Sequence, residues 1–151
     1  LAFLTRVLGV DETAYYTVET PFADNTSIPN WAQLYVQAMY TLGVLKGSER
    51  DGKLYADVDS YVTREETMTF LGRVLAASQS ADLSSFPDAY LVSDWASPHI
   101  QTLVGLNIVG GSNGLLEPKA NIDRAAIAKL LVEIYPLEKA LLVPRLDLIS
   151  Y

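Results

Sequence analysis

The chain has no cysteine, a single histidine and no long apolar run. Without cysteine, structural disulfides, thiolate nucleophiles and cysteine-ligated zinc are excluded. The one histidine, His99, would need mostly carboxylate partners to hold zinc. A Ser–His–acid site would also have to use it, and no serine sits in a nucleophile-elbow pattern. A membrane span needs roughly 18 uninterrupted apolar residues, a length no stretch reaches, so direct membrane insertion is not expected. Basic residues are scarce as well: 11 against 18 acidic ones, a formal net charge of -7. Nucleic-acid binding normally needs a basic stripe that displaces counterions, and none is present. Local arginines can still hold an anion inside an acidic whole.

What is present is apolar material. Half of the 151 residues are hydrophobic, enough for a substantial core and too many for a disordered chain. The length suits one domain or a short array of repeats sharing a core. The opening stretch "LAFLTRVLGVDET" has neither a basic n-region nor a small-residue cleavage site. It reads as the end of a helix rather than as a signal peptide.

Sliding the chain by about 64 residues lays "WAQLYVQAMYTLGVLKGS" (31–48) on "WASPHIQTLVGLNIVGGS" (95–112). Trp31 meets Trp95, Ala32 meets Ala96, Val36 meets Ile100, and Met39 meets Leu103. Leu42 meets Leu106, Val44 meets Ile108, and Gly47 meets Gly111. Upstream, Phe22 and Asp24 stand opposite Phe86 and Asp88. Downstream, Arg64 and Arg124 align once four extra residues are allowed in the first loop. The opening "FLTRVLGV" (3–10) matches "FLGRVLAA" (70–77), so the tail of another copy precedes two full ones. The repeats divide the chain into 1–10, 22–78 and 86–137, with 138–151 as a tail outside the pattern.

Each repeat reads as helix, loop, helix. In the first, Trp31, Leu34, Tyr35, Ala38 and Leu42 fall at helical spacing as a buried stripe, with Pro29 near the start. In the second, Asp94 is the expected N-cap of a helix from Trp95 to about Leu106. The closing helices are expected over about 64–78 and 124–135, the latter stopped by Pro136. Thr63 and Glu66 fit a capping box, whereas Asp123 can cap with no reciprocal partner at Ala126. No strand pattern outlasts these segments, so the expected class is all-α. Gly47 and Gly111 read as left-handed turns after the helix, or as points where a ligand can approach the backbone. The stretch "SERDGKLYADVD" superficially suggests a calcium loop. Setting Gly52 at loop position six, however, puts Gly47 at position one and Val58 at twelve, so two essential ligands fail.

Phe-x-Asp, Trp-Ala, a Gly-Val/Ile turn and Thr-Arg-x-Glu, recurring in order over nearly the whole chain, resemble the S-layer homology (SLH) family. That resemblance implies a pseudo-threefold spindle of helix-loop-helix repeats around a shared helical bundle. It implies non-covalent anchoring of a surface protein to an anionic, often pyruvylated, secondary cell-wall polysaccharide or a peptidoglycan-linked polymer, bound in grooves between repeats. It implies no cofactor and no catalysis, and it sets the protein at the bacterial cell surface. The family's Thr-Arg-Ala-Glu motif supplies the arginine that meets the acidic sugar. Here that motif falls on Thr63-Arg64-Glu65-Glu66 and Asp123-Arg124-Ala125-Ala126.

An arginine in the first turn of a helix opposes the helix dipole, which local stability does not explain. A guanidinium fork suits a carboxylate, and free helix N–H groups would reinforce anion binding. The candidate polysaccharide-binding residues are Arg64, Arg124, Thr63, Asp123, Trp31, Trp95, Gly47 and Gly111. The tryptophans read first as core anchors, with sugar stacking as the alternative. Arg64 is expected to outrank Arg124, because Asp123 can compete for the latter; Glu65 sets a negative charge beside Arg64. A second reading keeps the same fold as a structural or protein-interaction module, with the apolar tail docked on the partial first repeat or on a neighbour.

Overall fold

The computed structural model describes residues 1–75 and 79–134. The expected helix end at 78, the stop at Pro136 and the tail 138–151 lie outside the described residues. The described residues form two compact units, 1–60 and 61–134. Their boundary is out of phase with the sequence repeats: each unit starts near the closing helix of one copy and continues into the next.

The first unit holds α1 (Ala2–Val7), a 3-10 turn at Glu12–Tyr15, another at Asn25–Ser27, α2 (Asn30–Thr41) and a hairpin of β1 (Ser48–Arg50) and β2 (Lys53–Tyr55). α1 buries Leu4 and Thr5 and packs on α2. Pro29 is the N-cap of α2, a position where its missing N–H forfeits no helical bond. The face of α2 that enters the core is Ala32, Val36, Met39 and Leu42, which recur at helical spacing. Trp31 lies one step round from that stripe and is 72% exposed. The core-anchor reading of Trp31 is therefore corrected. Leu34 and Tyr35 are only half-buried, because the stripe runs through their neighbours.

α2 ends in a Schellman motif. The Gly43 N–H reaches the Tyr40 carbonyl and the Val44 N–H reaches the Met39 carbonyl, with Gly43 at φ +72°. The helix stop is thus Gly43, four residues ahead of Gly47. Beyond it, β1 and β2 pair antiparallel through Ser48–Tyr55, Glu49–Leu54 and Arg50–Lys53. Asp51 and Gly52 turn the hairpin with φ of +51° and +70°, both positive as a type I′ turn requires. The all-α expectation is corrected to a helix-rich fold with two short strands. These strands are three residues each and largely exposed, so they leave no alternation of apolar residues to read.

The second unit holds α3 (Arg64–Val74), a 3-10 turn at Ala89–Leu91, α4 (Ser97–Gly105) and α5 (Arg124–Ile134). Thr63 and Glu66 form the expected capping box, with the Thr63 hydroxyl accepting the Glu66 N–H and the Glu66 carboxylate accepting the Thr63 N–H. α3 and α4 pack closely because Gly72 has no side chain; a Cβ there would sit 2.6 Å from the His99 Cβ. His99 is half-buried in this packing. The core face of α4 is Ala96, Ile100 and Leu103, matching α2 position for position. Trp95 again lies off the stripe, at 50% exposure, so its core-anchor reading is corrected too. Asp94 is not the N-cap. α4 starts at Ser97 behind Ala96, out of a turn in which the Ser93 carbonyl accepts the N–H groups of Ala96 and Ser97. Among the described residues no helix is long and apolar enough to cross a membrane.

Candidate functional site

Past α4 the second unit builds a loop by the same rules as the first. Asn107 takes the left-handed position at φ +60°, its N–H bonding the Val104 carbonyl and that of Ile108 bonding the Leu103 carbonyl. Gly111 then adopts φ +81°, and a Cβ there would lie 2.9 Å from both the Phe86 ring and the Leu115 carbonyl oxygen. Gly47 is the counterpart at φ +79°, where a Cβ would meet the Phe22 ring at 2.6 Å and the Tyr55 carbonyl oxygen at 2.8 Å. Each glycine therefore lets a buried or half-buried phenylalanine lie against the loop backbone. After Gly111, Asn113 and Gly114 make a tight turn joined by a Ser112–Leu115 bridge.

A carboxylate clasps each loop. Asp88 accepts the N–H groups of Leu116 at 2.9 Å and Glu117 at 2.7 Å. Asp24 accepts those of Ala56 at 2.8 Å and Asp57 at 2.9 Å. Burial alone pushes the Asp88 carboxyl up, but the two backbone N–H donors and the Arg64 charge outweigh it. Asp88 therefore ionises below the ordinary carboxylate range. Asp24 is lowered in the same way, with Arg50 as the nearby charge. Sequence comparison aligned these aspartates without assigning them a role; an acid two residues after an aromatic was the signal available.

Arg64 opens α3 directly onto this loop. Its Nε donates to the Leu116 carbonyl oxygen at 2.9 Å, and its backbone N–H donates to the Ala120 carbonyl. The Glu65 N–H goes to the Pro118 carbonyl, and the Ile122 N–H returns to Val62. With Thr63 and Glu66 capping each other, the first N–H groups of α3 are all used. The expectation of free helix N–H groups beside Arg64 is therefore corrected: the loop before α5 satisfies them. Glu65 also differs from expectation. It is 3% exposed and accepts the Ser93 N–H and hydroxyl, each at 3.0 Å, together with the Lys119 ammonium. Its charge is spent on Lys119 and Ser93 rather than on its neighbour Arg64.

Arg64 faces a cavity of about 210 Å3 within the second unit. Met68 and Ile122 line it on the apolar side, Gly110, Gly111 and Ser112 bring backbone to its rim, and Lys129 of α5 stands with Arg64 as its second cation. No carboxylate lines it. In a chain of net charge -7, that local balance is set against the background. The arginine's terminal nitrogens make no hydrogen bond to a described residue, so they are available to a ligand. Bidentate capture of an acid group is the chemistry this offers.

Of the residues singled out from sequence, Arg64 and Gly111 line the cavity together. Thr63 adjoins it but spends its side chain on the cap. Asp123 caps α5 through the Ala126 N–H at 2.7 Å and makes no ion pair with Arg124. Arg124 is exposed and outside the cavity lining. Trp95 is exposed outside it as well, and Trp31 and Gly47 belong to the first unit. Lys129 was missed. It shares a face of α5 with Ala126 and Leu130, at i+3 and i+4 from Ala126, and only that projection would have found it.

The family model of the S-layer homology domain matches residues 21–68 and 85–128. Among curated proteins, the S-layer protein Sap of Bacillus anthracis is 26% identical over 72% of this chain and 13% of its own length. An S-layer protein of Bacillus thuringiensis subsp. finitimus is 32% identical over 51% of this chain and 9% of its own. An uncharacterised cell wall amidase of Bacillus anthracis is 29% identical over 78% of this chain and 21% of its own. The chain thus spans about a fifth or less of the length of these relatives. No solved structure matches it significantly.

Proposed function

The chain belongs to the S-layer homology domain family, and on that basis we propose that it is a non-catalytic anchoring module. It holds a larger surface protein to the cell wall by binding an anionic secondary wall polysaccharide. The observation that carries this reading is the cavity of the second unit, whose lining includes Arg64 and Lys129 and no carboxylate. The Arg64 guanidinium, steered by its Nε bond to Leu116, receives the acid group of a sugar, and Lys129 adds a second charge. A pyruvyl ketal supplies such an acid on an otherwise neutral ring. The exposed rings of Trp31 and Trp95 serve as stacking platforms for sugar rings, one in each unit. The pseudo-threefold spindle implied by the family is part of the same proposal.

Retention on purified wall sacculi tests it. The chain is expected to sediment with intact sacculi and to stay in solution with sacculi stripped of secondary polymer. Lys129→Ala, which leaves the loop bonds of Arg64 in place, is expected to weaken retention. Equal binding to both preparations overturns the reading and favours a protein-interaction role for the same fold.

A further inference from the structure

The first unit carries a cavity of its own, about 340 Å3, beside α2. That volume lies within the range of small-ligand sites. Val18, Ile28 and Val36 form its apolar side, and Glu19, Thr20, Asn25, Gln33 and Gln37 supply polar atoms. The lining contains a carboxylate, a hydroxyl and three amides, with no cation. Its chemistry is therefore opposite to that of the Arg64 cavity. It disfavours an acid and suits a neutral molecule rich in hydroxyls, which planar carboxylate and amide groups can meet as paired donors and acceptors.

Comparison with the other copy shows that the shared fold does not require this lining. Glu19 stands where the second unit has Leu83, which is buried. Asn25 stands where it has Ala89, and Gln33 where it has Ser97. Gln37 and Gln101 occupy the same place, but they are used differently. In the second unit, Ser80 donates to the Gln101 side chain at 3.5 Å, and the Ala81 N–H bonds the Gln101 carbonyl. That approach is possible because Gly105 lies beneath it, where a Cβ would be 3.2 Å from Gln79 and Ser80. α2 has Thr41 at the position of Gly105. The connection from Val7 to Phe22 is also longer than that from Val74 to Phe86 and makes a 3-10 turn instead. The corresponding space stays open in the first unit. There the Gln37 Oε1 is shielded from solvent with no hydrogen-bond partner among the described residues, an acceptor whose isolation is costly. The Glu19 carboxylate has no hydrogen bond to a described residue either.

We propose that this cavity is a second carbohydrate subsite, distinct from the Arg64 cavity, that takes a neutral pyranose residue of a glycan. Sugar hydroxyls donate to Glu19 and, after a turn of its flexible side chain, to the orphaned Gln37 oxygen. The Gln33 amide, one N–H of which reaches the Ile28 carbonyl at 3.4 Å, donates its other N–H in return, and the ring's apolar face rests against the half-buried Val18. Asn25 is held rigid for this by Thr20, whose hydroxyl donates to the Asn25 Oδ1 at 2.6 Å and whose carbonyl accepts its Nδ2 at 2.7 Å.

The test is titration of the 151-residue chain with N-acetylglucosamine, glucose and glucuronic acid, followed by amide NMR. The neutral sugars are expected to shift the side-chain amide signals of Gln33 and Gln37 with affinity on the order of 1 mM, and glucuronic acid to leave them unmoved. The double variant Glu19→Leu, Gln33→Ser installs residues that the other copy already tolerates. With Gln37 as the remaining reporter, it is expected to bind the neutral sugars at least tenfold more weakly while keeping the circular dichroism of the parent. Arg64→Lys is expected to leave the shifts intact, which separates this subsite from the anionic one. No shift with either neutral sugar, equal shifts with glucuronic acid, or undiminished binding by the double variant each overturn the proposal.

Discussion

Asp24 and Asp88 hold loops of different length by the same two bonds. Between Gly47 and Ala56 the first unit inserts two full residue pairs of hairpin, Glu49–Leu54 and Arg50–Lys53. Between Gly111 and Leu116 the second unit closes at once on the Ser112–Leu115 bridge. Both loops turn on a polar residue followed by glycine, Asp51-Gly52 and Asn113-Gly114, and both return to the aspartate clasp. The frame is therefore a phenylalanine, a glycine that yields to it, and a carboxylate two residues after that phenylalanine. Hairpin length is free to vary, and so is the cavity each unit carries, lined by Arg64 and Lys129 in one and by Glu19 and amides in the other.

The glycines should show the largest effect. At Gly47 and Gly111 a Cβ meets ring and backbone atoms below 3.0 Å, on residues already at positive φ. Gly47→Ala and Gly111→Ala are each expected to cost about 2–4 kcal/mol. Gly47→Ala should be the worse, because its 2.6 Å contact with Phe22 is the shorter. Chemical denaturation of each variant measures this. A loss under about 1 kcal/mol at either position would show that the ring can retreat and that the frame is softer than the geometry implies.

The aspartates come next. Removing Asp88 or Asp24 leaves two backbone donors without a charged acceptor, expected to cost roughly 1.5–3 kcal/mol. Asp88→Ala should be the more harmful, since its loop has no second hairpin pair to hold it. Both carboxyls ionise below their ordinary range, so the sign of the pH effect follows. Their contribution is complete above the unfolded carboxylate value, near pH 4, and is lost as pH falls through the lower native value. Acid titration of the parent and of the double Asp24→Asn, Asp88→Asn variant should converge below that range. Parallel curves would place the acid sensitivity elsewhere.

Arg64 and Arg124 break the symmetry of the copies. Equivalent by alignment, they differ in that only Arg64 has a loop carbonyl at its Nε and a cavity before it. Arg64→Lys, which keeps the charge but not the fork, is expected to weaken binding of an anionic wall glycan by about tenfold, near 1.4 kcal/mol. Arg124→Lys should change it less than about twofold. Calorimetric titration decides the order, and a larger loss at Arg124 reverses the assignment.

Much of the fold was legible because the copies could be read against each other. Every pair of the Ala32/Ala96, Val36/Ile100 and Met39/Leu103 set is buried. Reading α2 alone, by contrast, placed Trp31 on the core stripe, since one residue of phase error moves a side chain by about 100° on a helix. The hairpin was hidden by its exposure, although Asp51-Gly52 was its sign. Glu65 was misread because its partners, Ser93 and Lys119, lie 28 and 54 residues away. No local pattern announces such a meeting. The polar lining around Gln37 was illegible for the same reason.

The smallest effect on stability is the most direct test of the comparison. Deleting Glu49, Arg50, Lys53 and Leu54 leaves Ser48-Asp51-Gly52-Tyr55, the same register as Ser112-Asn113-Gly114-Leu115. The deletion removes the Arg50–Asp57 ion pair, in which the arginine side chain is 55% exposed, and the packing of Arg50 over Tyr55 at 4.4 Å. Surface contacts of these kinds are each worth about 0–1 kcal/mol. It also removes the Leu54 carbonyl that accepts the Ala23 N–H at 2.7 Å. The second unit has Pro87 at that position, a residue with no N–H to satisfy. Ala23 is exposed, so water can take the freed donor. The deletion is therefore expected to cost less than about 2 kcal/mol, and adding Ala23→Pro should recover part of that. If the shortened chain unfolds outright, the extra hairpin is required in the first unit and the frame shared with Asp88 is not sufficient alone.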